Sequence, residues 1–166
     1  MLIFTAAGLA LADDDIKKHP NCIYCNMDRQ QFAHSRMLIE YEDGTVVPLC
    51  SIHCAAVDLA LKADKLPKSI MVGDYSTRDL INAENAFWVL GGAKMGVMTK
   101  RAKWAFARKK SAERFMSGNL GELIGFDDAL KASYEDMNAD TTMIRNKKRS
   151  MRVIQKRSEG ILQHAH

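Results

Sequence analysis

The placement of cysteine constrains this chain more than any other feature. All four cysteines fall within thirty-three residues, as Cys22-x-x-Cys25 and Cys50-x-x-x-Cys54, with twenty-four residues between the pairs. If the pairs act together, the intervening chain must go out and come back. Residues 37–41 and 45–49 are short and rich in β-branched or long apolar side chains, and Asp43-Gly44 between them supplies the positive φ angles of a tight turn. A β-hairpin is expected there, returning the chain toward the first pair.

Beyond the hairpin, Ser51 offers an N-cap hydroxyl, and Ile52, Ala56, Leu59, Ala63 and Leu66 recur at spacings of four and three, the mark of one buried helical stripe. Pro67 is expected to end that helix, and residues 69–72 to form a third strand. After a polar stretch at 74–84 the same order returns. Residues 86–90 read as a strand stopped by Gly91-Gly92, with 103–107 as its partner. A helix is expected at 109–117, closed by Gly118, and a last strand at 122–126. The expected fold class is α+β: two similar packed ββαβ units, at 20–79 and 80–137, followed by a basic helical tail at 138–166. Units of this size bury a limited fraction of their surface, so they are expected to pack together.

Composition bounds the function. At 47% apolar and 27% charged residues the chain is globular in character. Its longest apolar run, 2–12, falls short of the roughly 18 residues that span a membrane. The formal charge of +4 is local, because residues 145–157 hold seven basic side chains and no acid while the remainder is net negative. A nucleic-acid footprint spread over the fold is not expected, and the tail reads as a solvated helix. Residues 1–12 are apolar, end in Ala10-Leu11-Ala12 and meet Asp13-Asp14-Asp15 at once, which resembles the end of a secretory signal and predicts export.

Soft donors gather around the cysteines. Met27 lies two positions after Cys25, so in extended chain a thiolate and a thioether face the same way. His53 adds an imidazole between Cys50 and Cys54, and the expected helix start there favours thiolate over thiol. Three readings stay open: soft-metal binding, structural disulfides, and thiol–disulfide exchange at Cys22-x-x-Cys25. Thiolate with thioether selects Cu(I), whereas Zn(II) rarely takes methionine, so Met27 favours copper over a structural zinc. Met37, Met71 and Met116 read as core filling, Trp88 and Trp104 as packing, and Met143 and Met151 show no pattern. His164-x-His166 reads as a mobile end. Ser51, His53 and Asp58 cannot form a triad from one helix, and phosphate-cradling loops and paired carboxylates are missing from the sequence. An enzyme is not expected.

The element Cys22-Ile-Tyr-Cys25-Asn-Met27, followed by the Asp43-Gly44 hairpin and Cys50-Ser51, resembles the NosL family of nitrous oxide reductase accessory proteins. Trp88 with Gly91-Gly92, then Gly96-Val97-Met98 and the 109–115 helix, extend the resemblance, which covers roughly 20–137. It implies a periplasmic copper chaperone of two ββαβ units that hands Cu(I) to nitrous oxide reductase or a related copper acceptor. Carried over, Cys22, Cys25 and Met27 match the family's metal element, and Met98 matches a methionine of its second half. Cys50, His53 and Cys54 either complete the site or, for the cysteines, form a disulfide. Three departures stand out. No cysteine precedes Cys22, so the lipid anchor common in the family is not expected. Asn26 replaces the usual glycine, though Asn also tolerates left-handed backbone. His53 and Cys54 exceed the usual pattern, which implies a subgroup with its own metal or client.

Overall fold

The computed structural model describes residues 14–163. The apolar start at 1–12, with its expected signal role, and His164-x-His166 lie outside the described residues. A short helix α1 (Asp14–Lys18) leads into the cysteine loop, and then β1 (Met37–Tyr41) and β2 (Val46–Leu49) form the expected hairpin. Gly44 takes φ +82 at its turn, and the Asp43 carboxylate accepts the Thr45 N–H at 2.9 Å. Met37 pairs with Leu49 and Ile39 with Val47, which fixes the register that the sequence left open.

Helix α2 (Ile52–Leu61) follows, then β3 (Pro67–Gly73), which pairs antiparallel with the other edge of β1. The helix is shorter than its apolar stripe. It ends at Leu61, Ala63 and Leu66 are exposed, and Pro67 opens a strand rather than closing a helix. Ser51 stands at the N-cap in extended conformation, but its side chain makes no capping bond. The polar stretch conceals β4 (Leu80–Asn82), so the first sheet has the order β2-β1-β3-β4.

The second sheet is β6-β5-β7, from β5 (Phe87–Leu90), β6 (Lys103–Phe106) and β7 (Glu122–Ile124), with α3 (Lys109–Asn119) between the last two. Gly118 lies inside α3. The left-handed closure falls instead at Leu120 (φ +62) and Gly121 (φ +107), where a Cβ on Gly121 would come within 2.8 Å of the Val89 side chain. The chain is thus α+β, with antiparallel sheets and the ββαβ order occurring twice.

One apolar core joins the two halves. Met37, Ile39, Tyr41, Leu49 and Val72 from the first sheet share it with Trp88, Ala105, Phe126 and Ala129. The Trp88 and Phe126 rings lie 5.9 Å apart, and the indole N–H donates to the Ala83 carbonyl at 2.9 Å. From Phe126 the chain enters a single helix α4 (Phe126–Gln163) that runs through the expected tail boundary without a break. Arg101 and Lys103 hold Asp136 of this helix, with Lys103 almost wholly buried. No helix among the described residues is long and apolar enough to cross a membrane.

Candidate metal centre

The hairpin brings the two cysteine pairs together. The Ile23 N–H donates to the Pro48 carbonyl at 3.1 Å, which lays the first pair over the end of β2, where Cys50 and α2 begin. The loop is a turn and not the extended segment expected from the sequence. The Asn26 N–H donates to the Cys22 carbonyl and the Cys22 N–H to that of Met27, both at 2.9 Å. Asn26 sits at φ +60, the left-handed backbone for which Asn is tolerated in place of glycine. The Tyr24 hydroxyl donates to Asp58 of α2 at 2.6 Å, and Asp58 also accepts from Tyr41 and Lys62.

A buried ionic knot fixes the same loop from the other side. Arg29 and Arg36 both bond the Asp15 carboxylate, at 2.8 and 2.9 Å. Arg29 also reaches the carbonyls of His19 and Leu49, at 2.7 and 3.2 Å, so it spans the loop's entrance and the end of β2.

The four Sγ atoms of Cys22, Cys25, Cys50 and Cys54 all lie within 4.8 Å of one another. Cys25 to Cys50 is 3.4 Å, Cys50 to Cys54 3.8 Å and Cys54 to Cys25 3.9 Å. Four sulfurs about 2.3 Å from one tetrahedral ion would be spaced by about 3.8 Å, so the set fits a single ion. The thiols are free, and three are buried while Cys25 is partly exposed.

Crowding splits their acidities. Hydrogen bonds from Cys25, Cys50 and Cys54 hold Cys22 far below the usual thiol range. Cys25 is lowered to about 7, because bonds with Cys50 and Cys54 outweigh the upward push of Cys22. Bonds to Cys22 and Cys25, together with burial, push Cys50 and Cys54 up. A bound cation would take the place of the protons these sulfurs share.

Cys25 also forms part of the wall of a cavity of about 780 Å³. Five methionines line it: Met27, Met95, Met98, Met143 and Met151. Met27 and Met98 therefore line one space from opposite halves of the fold. Met95 had no sequence signal, but Met143, Lys147 and Met151 recur every four residues, a helical face that the charge of the tail obscured.

His53 stands apart. Its Nδ1 lies 3.7 Å from Asp140 Oδ2 on α4, outside the group of four thiols, and neither atom makes a hydrogen bond. Asp58, bound to two tyrosines and a lysine, takes no part in a triad. The Cys22-x-x-Cys25 turn lies between the bridged residues Asn21 and Asp28 and not at a helix start, which removes the geometry that thiol–disulfide catalysis uses.

With the site in view, three similarities bear on it. The NosL family model matches residues 13–134. The HTH-type transcriptional repressor CutR of Bacillus subtilis (strain 168) is 28% identical over 135 residues, spanning 81% of this chain and 70% of the repressor. The crystal structure of the copper chaperone NosL from Shewanella denitrificans superimposes with a TM-score of 0.55 at 26% identity, over 64% of this chain and 87% of that one.

Proposed function

Since this chain belongs to the NosL family, and one solved structure similar to it is that of the copper chaperone NosL, we propose that it is an exported, periplasmic Cu(I) carrier, and not an enzyme, that loads nitrous oxide reductase or a related cuproenzyme. The observation that carries this reading is the meeting of four thiols within 4.8 Å, with one of them, Cys25, on the wall of a methionine-lined cavity. Soft sulfur donors select a monovalent soft ion. Export is supported by the apolar 1–12 segment and its acidic junction.

Cys22, Cys50 and Cys54 are buried and form the holding side of the site. Cys25 and Met27 form the releasing side. An acceptor's soft donor enters the cavity, bonds the ion as Cys25 lets go, and the remaining thiolates are displaced in turn. Copper stays monovalent throughout, so the transfer needs no electron.

Anaerobic titration of the reduced protein with Cu(I) against a chromophoric chelator tests this, with a near-ultraviolet thiolate-to-copper band as the signature. Met27→Leu is expected to weaken Cu(I) binding and leave stability within about 1.5 kcal/mol, since the side-chain volumes are similar. An unaltered affinity removes Met27 from the ligand set, and a missing band removes the copper reading. The near-tetrahedral sulfur spacing favours a second reading, structural zinc. That reading expects one tightly held zinc per chain and loss of the fold on chelation, whereas the carrier is expected to remain folded when stripped.

A further inference from the structure

The charge of the cavity is at odds with its cargo. Besides the thioethers, it is lined by Arg78, Lys94, Lys147 and Lys148, and no aspartate or glutamate is among the residues that line it. A bare or hydrated monovalent cation entering this space approaches four positive groups with no carboxylate to offset them, and like charges in a confined cleft slow such an approach. Yet the cavity leads to a thiol cluster suited to that ion. The conflict disappears if the ion arrives already wrapped in negative charge.

We propose that the cavity is a docking site for copper presented as an anionic small-molecule complex, Cu(I) held between two thiolates of low molecular weight. The proposal rests on the copper reading above. Two thiolates and one Cu(I) carry a net negative charge, which increases with any carboxylates on the thiol, and a volume of about 780 Å³ falls within the range of small-ligand pockets. The basic side chains hold the complex, the thioethers line its path, and Cys25 meets the metal.

Transfer is ligand exchange. The Cys25 sulfur gives up its proton and forms a bond to copper as one bond from copper to a donor sulfur breaks. The departing thiolate takes a proton from solvent. Nothing is oxidised or reduced, and a second exchange with a deeper thiol completes the hand-over. Lys147, Lys148, Met143 and Met151 lie on α4 beyond the residues matched by the family model, while Arg78, Lys94, Met95 and Met98 lie within them.

Stopped-flow loading of the full, reduced chain from two donors tests the proposal, with the thiolate-to-copper band as readout. The anionic donor is Cu(I) bis-glutathione, and the cationic donor is Cu(I) in acetonitrile. The double variant Lys147→Glu with Lys148→Glu, at two exposed positions, is expected to slow loading from the glutathione complex at least tenfold and not to slow loading from the acetonitrile complex. Lys147→Gln with Lys148→Gln is expected to fall between. Added salt should slow the wild type with the first donor only. S-methylglutathione, which has no free thiol, should compete with the first donor alone.

Equal slowing with both donors, or none with the glutathione complex, overturns the proposal and leaves the copper reading intact. An effect confined to onward transfer to an acceptor protein also overturns it, since the basic wall would then serve a protein partner. If neither donor produces the band in the wild type, both readings fail together.

Discussion

His53 Nδ1 faces Asp140 Oδ2 at 3.7 Å across the packing of α2 on α4, and both side chains are buried. Burial lowers the imidazole's pKa against the opposing pull of Asp140, so the ring is neutral near neutral pH and the contact is polar rather than a full ion pair.

His53→Gln is expected to leave copper stoichiometry and affinity unchanged and to lower unfolding stability by about 1 kcal/mol or less, since no hydrogen bond between the two side chains is lost. Urea denaturation and chelator competition on the same preparation check this. A tenfold or greater loss of copper affinity at unchanged stability would make His53 a ligand.

Asp58 ties the cysteine loop to α2. It accepts from Tyr24, from Tyr41 and from Lys62, and its own side chain is fully buried. Burial alone would raise its pKa, but these three donors prevail and lower it, so it is ionised in the fold. Asp58→Ala is expected to cost about 2–4 kcal/mol, because three donors lose their acceptor, and Tyr24→Phe about 1 kcal/mol. Combined, the two changes should cost less than their sum, since the second removes a donor whose acceptor is already gone. Full additivity in urea unfolding would show that the Tyr24 bond does not anchor the loop.

His34 makes stability depend on pH in a definite direction. Its ring lies 5.7 Å from Tyr75 and 5.4 Å from Trp104, and burial, then Arg78 and Lys94, hold its pKa below the ordinary 6.5. Below that value the unfolded chain takes up a proton that the folded chain resists. The contribution of His34 is thus complete above pH 6.5 and is lost as pH falls. The wild-type Tm is expected to drop more between pH 7.5 and 5.5 than that of His34→Phe, which keeps the ring packing without the titration. Scanning calorimetry at the two pH values decides it; equal drops would show that His34 contributes nothing.

Local chemistry was readable in the sequence, and long-range geometry was not. Asp43-Gly44 announced the hairpin because two residues suffice to set that turn. The stripe through Ala63 and Leu66 overran the helix because apolar spacing continues where the chain has already turned away, at Lys62. Strand β4 was invisible for the opposite reason: its three residues hold their conformation only by pairing with Met71, Val72 and Gly73. The cysteine pairs were legible as a site, but their spacing depends on the Met37–Leu49 register, which no local signal sets. The carboxylate that faces His53, that of Asp140, lies eighty-seven positions away on α4, out of reach of any local pattern. The unbroken α4 was within reach, since neither glycine nor proline occurs between Phe126 and Glu159.

The Asp15 carboxylate has a consequence for where the folded unit begins. Two fully buried guanidinium groups share this one acid, which precedes the first cysteine by seven positions. The amino-terminal limit of the module is therefore set by charge balance rather than by greasy contacts. A shortened version started at Pro20 would keep every cysteine and every strand, yet it would seal two cations inside without their counterion. Any trimming enzyme or cloning boundary that respects the architecture has to cut upstream of that aspartate.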